Sequence, residues 1–281
     1  GDRLATFQLL NGVALRGGYA GCGADDPDER DIAAYETILS GDLFGDDGPD
    51  FENNIENSYH VVTGSGTDET AIIDGFTITA GNADGVSCPH NLGAGMHNDL
   101  GSPTVTNCTF SGNVAGHGGG MYNSYNSSPT VSNCTFSGNS AGTGGGMCNC
   151  GSPTVTNCTF SGNSAYYYGG GMYNCLDSSP TVINCTFSGN LAGYGGGMNN
   201  LSSSTVINCT FSGNLAGYGG GMHNDTGSLT VINCTFSGNL ANYGGGIRNN
   251  ATSDLTITNC ILWGNIDETG TGQSAQIHSY H

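Results

Sequence analysis

The chain has 281 residues, four arginines, no lysine and a formal net charge of −19. Gripping nucleic-acid phosphates or an anionic membrane surface needs clustered Lys and Arg, so composition excludes nucleic acid as a partner. No apolar run approaches the roughly 20 residues that cross a bilayer, so membrane insertion by a helix is not expected either.

Glycine and proline, 50 and 7 residues, make up about a fifth of the chain. That is below the roughly 25–30 per cent at which unpatterned low complexity signals disorder. The first residues do not read as a secretory signal, and there is no initiating Met. The sequence therefore reads as part of a longer precursor. Its acidic, Asn/Gly/Ser/Thr-rich character suits an extracellular or cell-surface protein.

Residues 1–94 are irregular. Apolar and β-branched residues alternate at 5–10, 13–19, 59–63 and 76–79, which predicts short strands of early rungs. Residues 22–57 interrupt them as an acidic insertion, with a helical stretch expected at 29–35. In one glycine-containing loop of this insertion, Asp42, Asp46, Asp47, Asp50 and Glu52 crowd together. Alternate carboxylates of this kind can converge on a hard cation such as calcium, or simply form a solvated acidic loop. The pattern is not an EF-hand, and Asp25, Asp26 and Asp28 form a weaker cluster. No other cofactor is expected.

From 95 to 265 a unit of about 25 residues recurs. The segment 105–113, Val-Thr-Asn-Cys-Thr-Phe-Ser-Gly-Asn, returns at 131–139, 155–163, 182–190, 206–214 and 231–239, and in decayed form at 257–265. Its cysteines, 108, 134, 158, 185, 209, 234 and 260, lie 26, 24, 27, 24, 25 and 26 residues apart. Helical repeats would need longer amphipathic stretches, so each unit is read as a β rung and the whole as an all-β, single right-handed parallel β-helix of about ten rungs. In Cys108-Thr109-Phe110 the first and third side chains share a face, so Cys and Phe point inward and Thr outward.

Val105, Phe110 and Met121 each head an inward column repeated rung by rung. Three further columns are Asn, beginning at Asn98, Asn107 and Asn113. Asn tolerates left-handed backbone and can bond to its copy one rung away, so three Asn corners and a triangular cross-section are expected. Residues 266–281 start a further rung, with alternation still visible in Gln276 to Tyr280.

Phe-Ser-Gly-Asn at 110–113 and Gly-Gly-Gly-Met at 118–121 resemble the paired FxxN and GGxI motifs of polymorphic outer-membrane-protein repeats. The resemblance covers about residues 95–265. It implies a secreted or surface-displayed bacterial β-helix and no particular activity. Met stands where that family usually has Ile or Ala, and a C-terminal membrane barrel is not expected within these residues, so autotransport by this chain itself is not expected.

Several residues remain as site candidates. The Cys108 column could form disulfides between rungs, yet parallel side chains give poor geometry, so buried free thiols are preferred. Cys150 and Cys175 occupy equivalent places on adjacent rungs, at what reads as a surface corner, and are the first disulfide candidate. Cys22 with Cys88 is the second, and Cys148 is left unpaired or, with its neighbours, a weak metal candidate. Tyr168, Tyr194, Tyr218 and Tyr243 share one position before the triple glycine, and Tyr166 and Tyr167 enlarge that stripe. Such a stripe can bind sugars or another subunit, or can be rung-to-rung stacking alone. Asn126, Asn200, Asn224 and Asn250 are sequon asparagines read as lying on surface turns, open to glycosylation.

Catalysis is not expected. Acids along the regular rungs are sparse, chiefly Asp99, Asp177, Asp225 and Asp254, and Arg248 is the one cation there. Strand-like sequence runs to both ends without polar caps, so either caps lie in sequence outside this chain or the last rung of one subunit pairs with the first of the next; the second reading, head-to-tail self-association into a filament or surface fibre, is preferred. A monomeric adhesin or polysaccharide-binding stalk is the alternative, and a polysaccharide lyase or hydrolase the least favoured.

Overall fold

The computed structural model describes residues 1–279; the side chain of the calcium candidate Asp50 and the alternating residue Tyr280 lie outside what it describes. One regular rung consists of Thr104–Thr106, Thr109–Ser111, Val114–His117 and Met121–Asn123. Each strand pairs in parallel with its copy in the next rung: Val105 with Val131, Phe110 with Phe136, Ala115 with Ala141 and Met121 with Met147. Four parallel sheets result, of ten strands along the Met column, nine along the Val and the Phe columns and seven along the Ala column.

The outline thus contains a fourth strand that three Asn corners did not anticipate. In Val114–His117 only Ala115 is buried. A single small residue leaves no apolar alternation to read.

The corners divide their work. Asn107 and its equivalents adopt φ of 52 to 56°, the left-handed bend between the Val and Phe strands. At the next corner the positive φ falls to glycine, 61 to 65° from Gly112 to Gly264. This frees the adjacent Asn113 column to turn inward. Asn113 donates to Asn139 Oδ1 at 3.0 Å, while Asn139 Nδ2 also donates to the Phe110 carbonyl at 2.9 Å. Every amide in this column therefore bonds both along the ladder and to backbone, which satisfies polar groups that burial would otherwise penalise. At the triple-glycine corner a Cβ on Gly120 would lie 2.5 Å from the Gly146 carbonyl oxygen and 2.8 Å from the Phe136 ring. Only glycine fits there.

Inside, Phe110, Phe136, Phe160, Phe187, Phe211 and Phe236 are fully buried and stack with centroids 4.6 to 4.7 Å apart. Each contributes roughly 1.5–3 kcal/mol by burial. The Cys108 column packs beside them as free thiols, buried from Cys108 to Cys234 and half-buried at Cys260, each directing its sulfur at backbone carbonyls. Burial pushes the Cys134 thiol well above its ordinary value.

The early rungs are built from Phe7–Gln8, Ala14–Arg16, Ile38–Ser40, Val62–Thr63, Ile72–Asp74 and Thr77–Thr79. The helix expected at 29–35 is absent. The Asp31 carboxylate takes the Ala33 and Ala34 amides, which closes a turn, while Arg30 is drawn to Asp74 at 2.8 Å. The insertion instead holds two short 3-10 turns, Pro49–Phe51 and Asn54–Glu56. Its end joins the solenoid, because Ser58 N–H donates to the Gly41 carbonyl and Asn82 N–H to the Ser58 carbonyl.

At the other end Ile277–Ser279 pairs with Ile247–Asn249, as the alternation predicts. One corner there is covered, contrary to the expectation of no caps. The turn Gln273–Gln276 precedes this strand, and Asn265 Nδ2 donates to Gln276 Oε1 at 2.8 Å, so the buried Asn ladder ends on a glutamine.

Candidate functional site

The outward residues of the Met strands form a column that changes at every rung: His97, Tyr122, Cys148, Tyr173, Asn199, His223 and Arg248. The Ala strands end on a second column, in which Tyr168, Tyr194, Tyr218 and Tyr243 lie in register. The triple-glycine corner between the two columns has no side chains, and the second column folds over the first. Tyr168 meets Tyr173 at 5.6 Å, Tyr194 meets His223 at 5.4 Å, and the Arg248 guanidinium lies 4.3 Å from the Tyr218 centroid.

The tyrosine stripe is accordingly half-buried. Tyr194 and Tyr218 stack at 4.8 Å, and Tyr218 and Tyr243 at 5.4 Å, so most ring faces are occupied by neighbouring rings. Tyr166 and Tyr167 differ, being 77% and 54% exposed. They stand out because the strand Ser164–Tyr168 slips register against its neighbours.

Two clefts open along this face. The C-terminal one, about 420 Å³, is lined by Tyr194, Tyr218, His223, Asp225, Arg248 and Asn250, among others. Arg248 Nε donates to Asn250 Oδ1 at 3.3 Å, and Asn250 in turn donates to Asp225. Beneath them Asn199 Nδ2 lies 2.8 Å from His223 Nδ1. Burial lowers His223 to about 4, so the ring is a neutral hydrogen-bonding group near neutral pH. The N-terminal cleft, about 540 Å³, is lined by His60, Cys88, His97, Asp99 and Tyr122. Burial likewise lowers His60 to about 4 and His97 below its usual value.

Between the clefts sulfur closes the face. Cys150 and Cys175 are joined in a disulfide, the Tyr122 hydroxyl lies 3.7 Å from Cys150 Sγ, and Cys148 Sγ lies 4.0 Å from Cys175 Sγ. Burial raises the Cys148 thiol to about 12, so it stays protonated. Cys150 is 8% exposed, so the pair is not on an open surface corner. Cys22 and Cys88 are exposed free thiols, not a disulfide. They lie on different faces: Cys22 belongs to the turn bridged by Tyr19 and Arg30, whereas Cys88 borders the N-terminal cleft.

Two glycosylation candidates also need correcting. Asn200 and Asn224 are fully buried, because the third residue of each Met-x-Asn strand points inward; Asn224 Nδ2 donates to Asn249 Oδ1 at 2.8 Å. Asn126 is exposed, on a left-handed turn, and Asn250 is half-buried.

In the acidic insertion, Asp42, Asp47 and Glu56 bring carboxylate oxygens within 4.8 Å of one another. Asp46 and Glu52 stand outside this group and Glu56 replaces them, a residue that sequence crowding alone did not single out. Burial works to raise Asp42, but the amides of Gly45, Asp47 and Phe44 outweigh it and leave the carboxyl below its ordinary value. Asp47 is raised by burial, against a hydrogen bond from Asn57 and with the help of the Asp42 and Asp46 charges.

No curated protein and no solved structure matches the chain. The family described as "Right handed beta helix region" matches residues 43–187 and 166–279, which together span most of the sequence. With in-register parallel sheets running through the same residues, the chain belongs to the right-handed β-helix family.

Proposed function

We propose that this solenoid is an extracellular, non-catalytic glycan-binding stalk that receives its ligand along the Met-strand face. The observation that carries the reading is the C-terminal cleft, where a tyrosine ladder, Arg248, Asp225 and Asn250 put aromatic edges beside hydrogen-bonding groups at successive rungs. Ligand sites combine apolar walls with a few convergent polar groups in this way. Tyr166 and Tyr167, on the same strand as the cleft-lining Tyr168, add open ring surface of the kind on which a sugar stacks.

A net charge of −19 opposes polyanions, so the favoured ligands are neutral polysaccharides. Among the described residues Asp225 is the one carboxylate lining this cleft, and it is held by Asn250. Glycoside hydrolysis generally needs a pair of acids, which supports binding without turnover. The Cys150–Cys175 disulfide supports an oxidising, extracellular setting, and the FxxN and GGxI-like repeats support a bacterial surface protein. Titration calorimetry against soluble β-glucan, mannan and xylan tests the reading. Binding of one of them, weakened at least tenfold in Arg248→Ala and Tyr166→Ala, is expected; no heat with any neutral glycan sinks it.

A second reading, end-to-end self-association, has one observation of its own. In the last rung Ile261 and Trp263 stand at outward positions occupied by Thr235 and Ser237 one rung earlier, and are 62% and 77% exposed. Sedimentation velocity from 1 to 100 µM tests it: a mass that grows with concentration, and stays constant in Trp263→Ser, supports the fibre, whereas a constant wild-type mass rejects it.

A further inference from the structure

We propose that the acidic insertion carries a calcium site formed by Asp42, Asp47, Glu56 and the side-chain oxygen of Asn57, which pins residues 42–57 against the first rungs.

The three carboxylates come from separate stretches of the loop yet lie within 4.8 Å of one another. Calcium holds oxygen donors at about 2.3–2.6 Å, so two donors on one ion are separated by at most about 5 Å, which this spacing meets. Without a cation the arrangement is costly, because like charges at this distance repel.

Two further atoms call for a ligand. Asn57 is only 1% exposed; its Nδ2 reaches into the cluster, donating to Asp47 Oδ2 at 2.7 Å, while its Oδ1 is buried without a hydrogen-bond partner. Oδ1 of Asn57 and Oε1 of Glu56 are both buried acceptors with nothing to accept from. Buried polar atoms are normally satisfied, so orphaned ones beside a carboxylate cluster call for a partner, which a cation held by these carboxylates would supply. Rotating the Asn57 amide turns Oδ1 toward Asp47, which is unfavourable unless a cation lies between them. An all-oxygen donor set without His or Cys selects a hard ion, and an irregular loop suits calcium better than the strict octahedron of magnesium.

The site has a structural consequence. Asn57 and Ser58 lie where the insertion meets the solenoid: the Asn57 carbonyl accepts from Arg3 Nε at 2.7 Å, and Asn82 Nδ2 donates to the Asn54 carbonyl at 2.8 Å. The cation would therefore fasten the loop to the beginning of the seven-stranded sheet, which opens at Asn82–Ala83.

Calcium chloride titrated calorimetrically into the chelator-treated whole chain tests this directly. One ion per chain is expected, with affinity reduced at least tenfold in Asp47→Asn and in Glu56→Gln, and with magnesium binding at least tenfold weaker. Circular dichroism confirms that each variant is folded. Limited proteolysis of the wild-type chain gives a second readout, expected to show cleavage within residues 43–56 slowed by calcium and restored by chelator. The proposal is overturned by no calcium binding up to 5 mM, by binding that both variants retain at full strength, or by cleavage indifferent to calcium.

Discussion

Two faces of the same rungs behave in opposite ways. Outside the Phe strands, Thr and Ser repeat with little change: Thr109, Thr135, Thr159, Thr186, Thr210 and Thr235 stack in one column, and Ser111 to Ser237 in another. Outside the Met strands no two successive residues are alike, from His97 through Tyr122, Cys148, Tyr173, Asn199 and His223 to Arg248. Both faces rest on the same core and obey the same stacking. A uniform column is what rung-on-rung pairing asks for, so the variable column is where stacking has released its hold and chemistry can differ from rung to rung.

Substitutions can break or sharpen that contrast. The largest effect belongs to the shared core: Phe160→Ala removes a fully buried ring from the middle of the stack and is expected to cost about 3–5 kcal/mol, read by urea unfolding. Next comes the polar ladder. Asn163 accepts from the Asn139 backbone and side chain and donates to the Phe136 carbonyl. Asn163→Ala leaves these three groups unpaired; at the lower end of about 1–3 kcal/mol for each, because water can enter the space, the cost should be about 3–4 kcal/mol. On the variable face, Cys150→Ser with Cys175→Ser removes the disulfide and is expected to lower stability by about 2–4 kcal/mol without changing the far-UV spectrum.

Acid should act on the variable face before the uniform one. His60 and His223 have folded-state values of about 4, below the ordinary 6.5 of the unfolded chain. The unfolded chain therefore binds more protons in between, and the stability these rings supply is full above pH 6.5 and lost as pH falls towards 4. Melting curves at pH 7, 5.5 and 4.5 should fall in that order, with a shallower fall in His223→Asn. The smallest effect is expected on the uniform face, where Thr210→Val should change stability by no more than about 0.5 kcal/mol.

Much of this fold was legible because the repeat writes its core directly: Val, Cys, Phe and Met recur wherever the backbone points inward. The fourth strand was hidden because its buried residue is Ala, whose column carries no pattern distinct from the glycines around it. The Asn columns were visible, but their division of labour was not: the same residue bends the chain at Asn107 and bridges rungs at Asn113, with Gly112 taking the bend. For the same reason the sequons at Asn200 and Asn224 resemble surface turns in sequence, although their register turns them inward. The variable face was half legible. The tyrosines at 168, 194, 218 and 243 stood out, but their folding over His223 and Arg248 depends on a glycine corner that brings two columns together. Glu56 and Asn57 carry no sequence signal, because chain folding, not sequence proximity to the other acids, places them beside Asp42 and Asp47.

The central claim, that ligands are received on the variable face, is tested most directly by a crystal structure of the chain with a bound neutral oligosaccharide. The account predicts sugar in the C-terminal cleft, in contact with Tyr218, Asp225 and Arg248. Sugar resting only on the Thr and Ser columns outside the Phe strands would contradict it.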